Sequence, residues 1–146
     1  MKVINRRARR DYELLEKLEA GISLSGPEVK SVKEGKIRLE EAFVRIRDGE
    51  AWLYNARIHP YRFADTKELD ASRPRRLLLH KKEILALSQK IKQKRLTIVP
   101  VACYTRGRTV KLEIALARGK KKYEKRQALK KKDIEREIEQ ELRGKK

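Results

Sequence analysis

The sequence predicts a mainly β fold, a small antiparallel barrel whose ends are closed by short helices, followed by a basic tail. Two observations support this prediction. Between residues 1 and 118, the sequence contains about six strand candidates and two short helical patterns. The length of 146 residues also fits one domain with room for a tail. We therefore expect a barrel over residues 1–118 and a tail over residues 119–146.

The first strand is expected at residues 12–24. Good helix formers in this stretch leave a helix as the alternative, but the even positions are apolar except for Glu16, and this alternation favours a strand. The residues expected on one face of this strand are Tyr12, Leu14, Leu18, Ala20, Ile22 and Leu24. Ser25, Pro27 and Glu28 then form a capping-box pattern, which predicts a short helix that ends at Gly35.

Two turns predict two β-hairpins. Asp48–Gly49 supplies the positive φ angles of a tight turn, and Gly107 lies at the second turn. The strands expected beside these turns are residues 42–47 and 50–58 for the first hairpin and residues 96–105 and 108–118 for the second. Pro100 has no N–H to donate, which indicates a sheet edge or a bulge. Lys111 points away from the apolar face of the last strand, which is formed by Val110, Leu112, Ile114 and Leu116.

The segment between the hairpins predicts a loop, a strand and a helix. Residues 64–76 are polar, contain Pro74 and lack periodicity, so they predict a mobile loop. A short strand is expected at residues 75–79. A helix is expected at about residues 81–94, because the apolar residues recur on one helical face, namely Ile84, Leu87 and Ile91.

The charge of +19 is concentrated in two blocks. Residues 1–10 hold five cations and no anion, and residues 119–132 hold eight cations and one anion. Such blocks are usually solvated arms that bind polyanions, because neutralised phosphates release counterions. Nucleic acid or a ribonucleoprotein is therefore the expected partner. A membrane partner is not expected, because no basic segment also carries a wide apolar face.

The sequence holds no catalytic or metal-binding pattern, so we expect neither an enzyme nor a cofactor or metal site. Cys103 is the single cysteine, and His59 and His80 lie far apart and are interpreted as surface or capping residues. No apolar stretch is long enough to cross a membrane, and no apolar region follows the basic start as in an export signal. A cytoplasmic location is expected.

The tail carries a narrow apolar stripe formed by Ile134, Ile138 and Leu142. Burying these side chains yields about 5–9 kcal/mol at best, whereas ordering about fourteen residues costs on the order of 1 kcal/mol each or more. We therefore expect the free tail to be disordered and to become helical on a partner that accepts the stripe. The alternative is that the stripe packs back on the barrel.

Five segments of the sequence together resemble the SmpB family of bacterial tmRNA-binding proteins. They are NRRARRDY at 5–12, EAGISLSGPEVKS at 19–31, DGEAWLYN at 48–55, RLLLHKKE at 76–83 and GKKKYEKR at 119–126. The resemblance implies an oligonucleotide-binding (OB) type barrel with accessory helices. It also implies a role in trans-translation, the rescue of ribosomes that have stalled on messages without a stop codon.

The resemblance also implies a set of partners. In that family the barrel grips the tRNA-like domain of tmRNA, while the tail occupies the decoding centre and the empty mRNA channel of the ribosome. Elongation factor Tu and alanyl-tRNA synthetase are connected to the protein indirectly, through the alanine-charged tmRNA. We expect a monomer and no membrane partner.

By matching position, the resemblance places five residues on the RNA-binding surface: Asn5, Tyr12, Glu19, Leu78 and Lys111. Tyr12 and Leu78 could instead belong to the barrel core, and Glu19 could be a surface salt-bridge partner. Lys111 is directed away from the core and could reach a phosphate. Glu19 could contact RNA only as a hydrogen-bond acceptor, because a carboxylate repels phosphate.

The resemblance also assigns four tail residues to the decoding centre: Tyr123, Glu124, Lys125 and Arg126. Many members of the family have Asp where Glu124 stands, and Arg10 replaces a common His. Two other protein classes would share the basic composition, a structural protein of the ribosome and an architectural DNA-binding protein. The first would stay with ribosomes through a high-salt wash, and the second would bind duplex DNA as well as structured RNA.

Overall fold

The computed structural model describes residues 1–61 and 70–119, which form nine strands and three helices. The strands are β1 (Lys2–Ile4), β2 (Tyr12–Ile22), β3 (Ile37–Arg38), β4 (Phe43–Arg47), β5 (Glu50–Tyr54), β6 (Arg57–Ile58), β7 (Arg75–Leu78), β8 (Thr97–Arg106) and β9 (Thr109–Gly119). The helices are α1 (Arg6–Asp11), α2 (Gly26–Lys33) and α3 (Lys81–Lys94).

Six of the strands form a closed antiparallel ring. Their hydrogen-bonded order is β8, β4, β5, β7, β2 and β9, and β9 pairs with β8 to close the ring. β1 pairs with β8 beside the ring, and β3 pairs with β6 separately. The predicted antiparallel barrel is thereby confirmed, although β1, β3 and β6 raise the number of strands above the expected six.

The main hydrophobic core fills the interior of the ring. Val32 of α2 and Leu87 of α3 are almost fully buried in it, so both predicted helices pack on the barrel. A second, smaller cluster lies on the opposite face of the sheet under α1. It consists of the buried residues Ala8, Val99 and Ala117 with Tyr12 and Leu14 packed against them.

Two β-bulges change which side chains face the core. In β2 the pairing with β9 shifts by one residue between Leu14 and Glu16, which leaves Leu15 as the extra, exposed residue. The prediction that the even positions from Tyr12 to Ile22 share one face is therefore wrong: the first of them pack under α1, and those after the bulge face the core. Of the two alternatives predicted near Pro100, a sheet edge or a bulge, the bulge is confirmed, since the register of β8 shifts between Pro100 and Ala102.

The first hairpin turns as predicted but ends earlier. Asp48 and Gly49 have φ angles of 53° and 75°, which join β4 to β5 by a tight turn. The expected strand over residues 50–58 is wrong beyond Tyr54, because Asn55 takes a φ of 60° and turns the chain away. The residues after it form β6 and pair with β3 instead of continuing β5.

Both predicted helices begin at the expected caps. In α2 the Ser25 hydroxyl accepts from the Glu28 N–H, and the Ser25 N–H donates to the Glu28 carboxylate at 2.9 Å. α3 has the predicted bounds, and the His80 N–H before it donates to the Glu83 carboxylate at 3.0 Å. The capping interpretation of His80 is confirmed.

The expectation of a solvated N-terminal arm is wrong. Residues 2–4 form the strand β1, and residues 6–11 form the helix α1 with its arginines exposed on the surface. Asn5 caps this helix, because its Oδ1 accepts from the Ala8 N–H at 3.2 Å. The five N-terminal cations are thus held on folded backbone.

Two predictions extend beyond the described residues. Of the loop expected at 64–76, residues 64–69 are not described, residues 70–74 lie outside helices and strands, and residues 75–76 already belong to β7. The tail beyond Gly119 is not described either. Within the described ranges, no helix has the length and apolar character needed to cross a membrane.

Candidate functional site

Four of the five predicted RNA-binding residues lie on the outer face of the barrel, and the bulge of β2 is the reason that Tyr12 and Glu19 share this face. Tyr12 precedes the bulge of β2 and Glu19 follows it. Because the bulge adds one residue, even-numbered Tyr12 and odd-numbered Glu19 point to the same side of the sheet. Lys111 alternates with buried Val110 and Leu112 and therefore also points outward, as predicted. Leu78 is 54% exposed on the adjacent strand, which excludes the alternative that it belongs to the core.

Three of these residues meet at one cleft of about 970 Å³. Glu19, Leu78 and Lys111 line its sheet side, and the first turns of α3 and the Asp48–Gly49 turn line the other side. Gly21 pairs with Leu78 on one neighbouring strand and with Lys111 on the other, which brings the two side chains to either side of it.

Gly21 allows Leu78 to lie directly over the sheet. A Cβ atom at position 21 would lie 3.1 Å from the Leu78 Cβ and 3.3 Å from its Cδ1. Both separations are shorter than ordinary van der Waals contact, so any larger residue would displace the leucine. The glycine therefore sets the position of Leu78 in the cleft.

The Glu19 carboxylate is held by two donors from β8. The Tyr104 hydroxyl donates to Glu19 Oε2, and Arg106 Nη1 donates to Oε1 at 3.2 Å. The hydrogen bond to Glu19, burial and the Glu19 charge raise the pKa of Tyr104 to about 12, so the phenol stays protonated as a donor. Glu19 is thus a surface salt-bridge partner, as the alternative interpretation proposed, and its fixed orientation also suits an acceptor of hydrogen bonds from RNA.

The cleft has a mixed charge. Among the described residues, three cations line it, Arg76, Lys81 and Lys111, and four carboxylates do so, those of Glu19, Asp48, Glu50 and Glu83. Arg76 is already paired with Glu50 at 3.4 Å. The cleft is therefore suited to hydrogen bonding with bases or ribose hydroxyls more than to neutralising a run of phosphates.

Asn5 and Tyr12 lie away from this cleft, at the α1 end of the outer face. Tyr12 and Glu19 are seven residues apart on β2, roughly 20 Å at about 3.3 Å per residue. Asn5 is only 2% exposed, and its Nδ2 donates to the carbonyl oxygens of Leu39 at 3.0 Å and Pro100 at 2.8 Å. This geometry gives Asn5 the role of fixing α1 to the barrel.

A buried ion pair anchors β7, the strand that carries Leu78. Arg75 Nε donates to Glu28 Oε2 at 2.8 Å, and its Nη1 donates to the Ala56 carbonyl at 2.8 Å. Burial raises the pKa of Glu28, but the hydrogen bonds from Ser25, Arg73 and Arg75 and the charge of Arg75 outweigh it, so the pKa lies below its usual value. The pair fixes the start of β7 to the N-terminus of α2.

Comparison with known proteins identifies the family. The family model described as "SmpB protein" matches residues 2–144. The SsrA-binding protein of Sulfurihydrogenibium sp. (strain YO3AOP1) is 57% identical over 141 residues, covering 97% of this chain and 93% of the relative. The chain belongs to the SmpB family. The SsrA-binding protein of Aquifex aeolicus (strain VF5) is 49% identical over 142 residues and covers 97% of this chain and 90% of its own length.

A solved structure extends the match with the SmpB family to three dimensions. A chain from the structure described as "tmRNA-SmpB: a journey to the center of the bacterial ribosome" superposes with a TM-score of 0.69. It is 48% identical, and the alignment covers 83% of this chain and 85% of that chain. The resemblance to the SmpB family that the sequence motifs indicated is confirmed.

Three residues that shape the cleft were not predicted from the sequence. Gly21, Tyr104 and Arg106 act through neighbours that are distant in sequence, so no local pattern marks them. The four predicted tail residues, Tyr123, Glu124, Lys125 and Arg126, lie outside the described residues.

Among the described residues, no group of three or more His, Cys, Asp or Glu side chains could hold a metal ion. Cys103 is buried, and burial raises the pKa of its thiol to about 12.

Proposed function

We propose that this chain binds the tRNA-like domain of tmRNA and delivers it to stalled ribosomes for rescue and tagging of the nascent peptide. The observation that carries the proposal is the convergence of Glu19, Leu78 and Lys111 at one outer-face cleft in a chain of the SmpB family. The names of the relatives, SsrA-binding proteins, support the same partner. The proposal describes a binding protein and not an enzyme, acting as a monomer in the cytoplasm.

The outer face divides the RNA contacts between two ends. At the cleft, the fixed Glu19 carboxylate accepts from a base or a ribose hydroxyl, Leu78 packs on a base or ribose, and Lys111 donates to a phosphate. At the other end, α1 presents exposed arginines beside Tyr12, and Asn5 holds that helix in place. A folded RNA can span both ends, because the face is roughly 20 Å long between Tyr12 and Glu19.

The tail has the second role in this proposal. Residues 119–146 bind the decoding centre and the empty mRNA channel, where Tyr123, Glu124, Lys125 and Arg126 contact ribosomal RNA and the following stripe becomes helical. The alanine-charged tmRNA connects the chain to alanyl-tRNA synthetase and elongation factor Tu. The block of eight cations in residues 119–132 supports this role, because ribosomal RNA is a dense polyanion.

The decisive experiment measures binding of the full chain to a tRNA-like fragment of tmRNA by gel shift. We expect tight binding that duplex DNA does not match, with affinity falling by orders of magnitude between about 50 and 200 mM salt if six or more phosphates are contacted. Equal binding of duplex DNA would favour an architectural DNA-binding protein. Retention on ribosomes through a high-salt wash, without preference for the fragment, would favour a structural ribosomal protein.

Two variants separate the barrel from the tail. Lys111→Ala should weaken fragment binding and lower the salt slope by about one, while Lys33→Ala, an exposed lysine on α2, is the matched control. Equal effects of both variants would remove Lys111 from the binding surface. A chain ending at Arg118 should still bind the fragment but fail to support peptide tagging, and tagging by that chain would refute the proposed role of the tail.

A further inference from the structure

A second hollow, which shares Ile46 with the cleft, lies at the hairpin formed by β4 and β5. Its volume is about 470 Å³. Two aromatic rings, two arginines and one aliphatic side chain line it: Phe43, Arg45, Ile46, Arg47 and Tyr54. No carboxylate from the described part of the chain lines it. Arginines with aromatic rings and without acids are the surface composition that suits a nucleotide.

The floor of the hollow is a pair of stacked rings. Phe43 and Tyr54 are paired across the two strands, with ring centroids 5.5 Å apart and ring planes 19° apart. Both side chains are half-buried, so their inner parts are fixed by packing while part of each remains accessible. Each ring covers one face of the other, so the side of the Tyr54 ring that points away from Phe43 is where another planar ring could stack, with Phe43 supporting Tyr54 from behind.

Arg45 has no salt-bridge partner among the residues that the structure describes. Its guanidinium lies over the Phe43 ring, with 5.0 Å from its central carbon to the ring centroid. None of the salt bridges among the described residues uses Arg45. Arg47 meets Asp48 at 4.0 Å, but both side chains are highly exposed, so the pair is weak. The two guanidinium groups can therefore donate to an incoming anion.

We propose that this hollow is a second RNA site that takes one unpaired nucleotide. The base stacks on the Tyr54 ring, on the side away from Phe43, and its phosphate accepts hydrogen bonds from Arg45 and Arg47. Unpaired nucleotides are the class that fits, because paired bases inside a helix present no free ring face to the protein. Phe43 also lines the small pocket beside Tyr12, so an RNA strand leaving the α1 end of the outer face would reach the hollow.

The test uses the full chain and a fluorescein-labelled oligouridylate of eight nucleotides, followed by fluorescence anisotropy at moderate salt. Arg45→Gln and Tyr54→Leu should each weaken binding about tenfold. Tyr54→Phe keeps the ring and should bind within about twofold of the natural chain. Arg57→Gln makes the same charge change at an exposed arginine on β6 and is the matched control. A duplex of the same length should compete poorly.

Three results would overturn the inference. The first is that Arg45→Gln and Arg57→Gln weaken binding of the oligouridylate equally. The second is that Tyr54→Leu leaves this binding unchanged, and the third is that duplex RNA competes as well as single-stranded RNA. Arg45 is exposed, so its variant tests the site even where Tyr54→Leu loses stability. Tight binding of the tRNA-like fragment together with any of these results would refute this site and leave the proposed function intact. The reverse pattern would refute the proposed function alone.

Discussion

Replacing Glu28 by glutamine is expected to destabilise the barrel strongly. The side chain of Glu28 is 7% exposed, and that of its partner Arg75 is fully buried. Glutamine has the same length and still accepts from the Ser25 N–H, so the helix cap is kept and the counter-charge of Arg75 is lost. A buried charge left without its partner typically costs about 3–5 kcal/mol.

That loss is large against the stability of a domain of this size, which is typically about 5–15 kcal/mol. At roughly 3–5 °C per kcal/mol, the melting temperature should fall by about 10–20 °C. Urea unfolding followed by circular dichroism measures the free energy of unfolding, with the slope of the transition unchanged. Because the ion pair also fixes the start of β7, the variant should hold this strand less firmly. Leu78 lies on β7, so binding of the tRNA-like fragment should weaken as well.

Glu34→Gln is the matched control. Glu34 pairs with Lys36 at 3.2 Å, and both side chains are exposed by more than a third. Surface pairs of this kind contribute about 0–1 kcal/mol. The reasoning about the buried pair would be refuted if Glu28→Gln and Glu34→Gln reduced the free energy of unfolding by similar small amounts.

Three further predictions concern pH and the cleft. The pKa of Glu28 is lowered in the folded chain, so its contribution to the free energy of unfolding is fully present above pH 4.5 and declines as the pH falls below that value. In urea titrations below pH 4.5, the Glu28→Gln variant should therefore lose stability less steeply than the unchanged chain. The pKa of Tyr104 is raised to about 12, and the largest cause is its hydrogen bond to Glu19. The Glu19→Gln variant should therefore shift the pKa of Tyr104, followed by phenolate absorbance, toward 10. An unchanged titration would contradict the contact between the two residues. Gly21→Val should crowd Leu78, reduce the free energy of unfolding by about 1–3 kcal/mol and weaken fragment binding, whereas unchanged binding would remove Leu78 from the RNA surface.

Local signals in the sequence predicted the elements whose stability is local. The Ser25–Glu28 capping box, the Asp48–Gly49 turn and the apolar face of α3 each lie within a few residues of the structure they specify. The ring consists of the two hairpins together with β2 and β7, and the barrel was predicted from the number of strand and short helix patterns in the sequence.

Features that depend on distant partners could not be predicted. The bulge at Leu15 is hidden because the apolar residues before it are even-numbered, like those after it, and only the pairing with β9 reveals the change of face. α1 has one buried apolar residue, Ala8, and is held by Asn5 contacts to residues 34 and 95 positions away. The pairing of Glu28 with Arg75 likewise joins positions 47 residues apart.

The site residues were predicted from the resemblance to the SmpB family, because the spacing of apolar residues does not identify them. Glu19, Leu78 and Lys111 come from three strands, and the structure brings them to one cleft. Asn5 and Tyr12 lie at the opposite end, where Asn5 is buried and fully hydrogen-bonded. Their predicted place on an RNA surface depends on α1, whose folding was not expected from a run of charged residues.

The most direct test of the proposed RNA surface is a map of backbone amide shifts by nuclear magnetic resonance, recorded as the tRNA-like fragment is added to the labelled full chain. The largest shifts should occur along the outer face, at Glu19, Gly21, Leu78 and Lys111, with little change at Val32 of α2. Shifts centred on α2 with the outer face unchanged would contradict the proposed RNA surface.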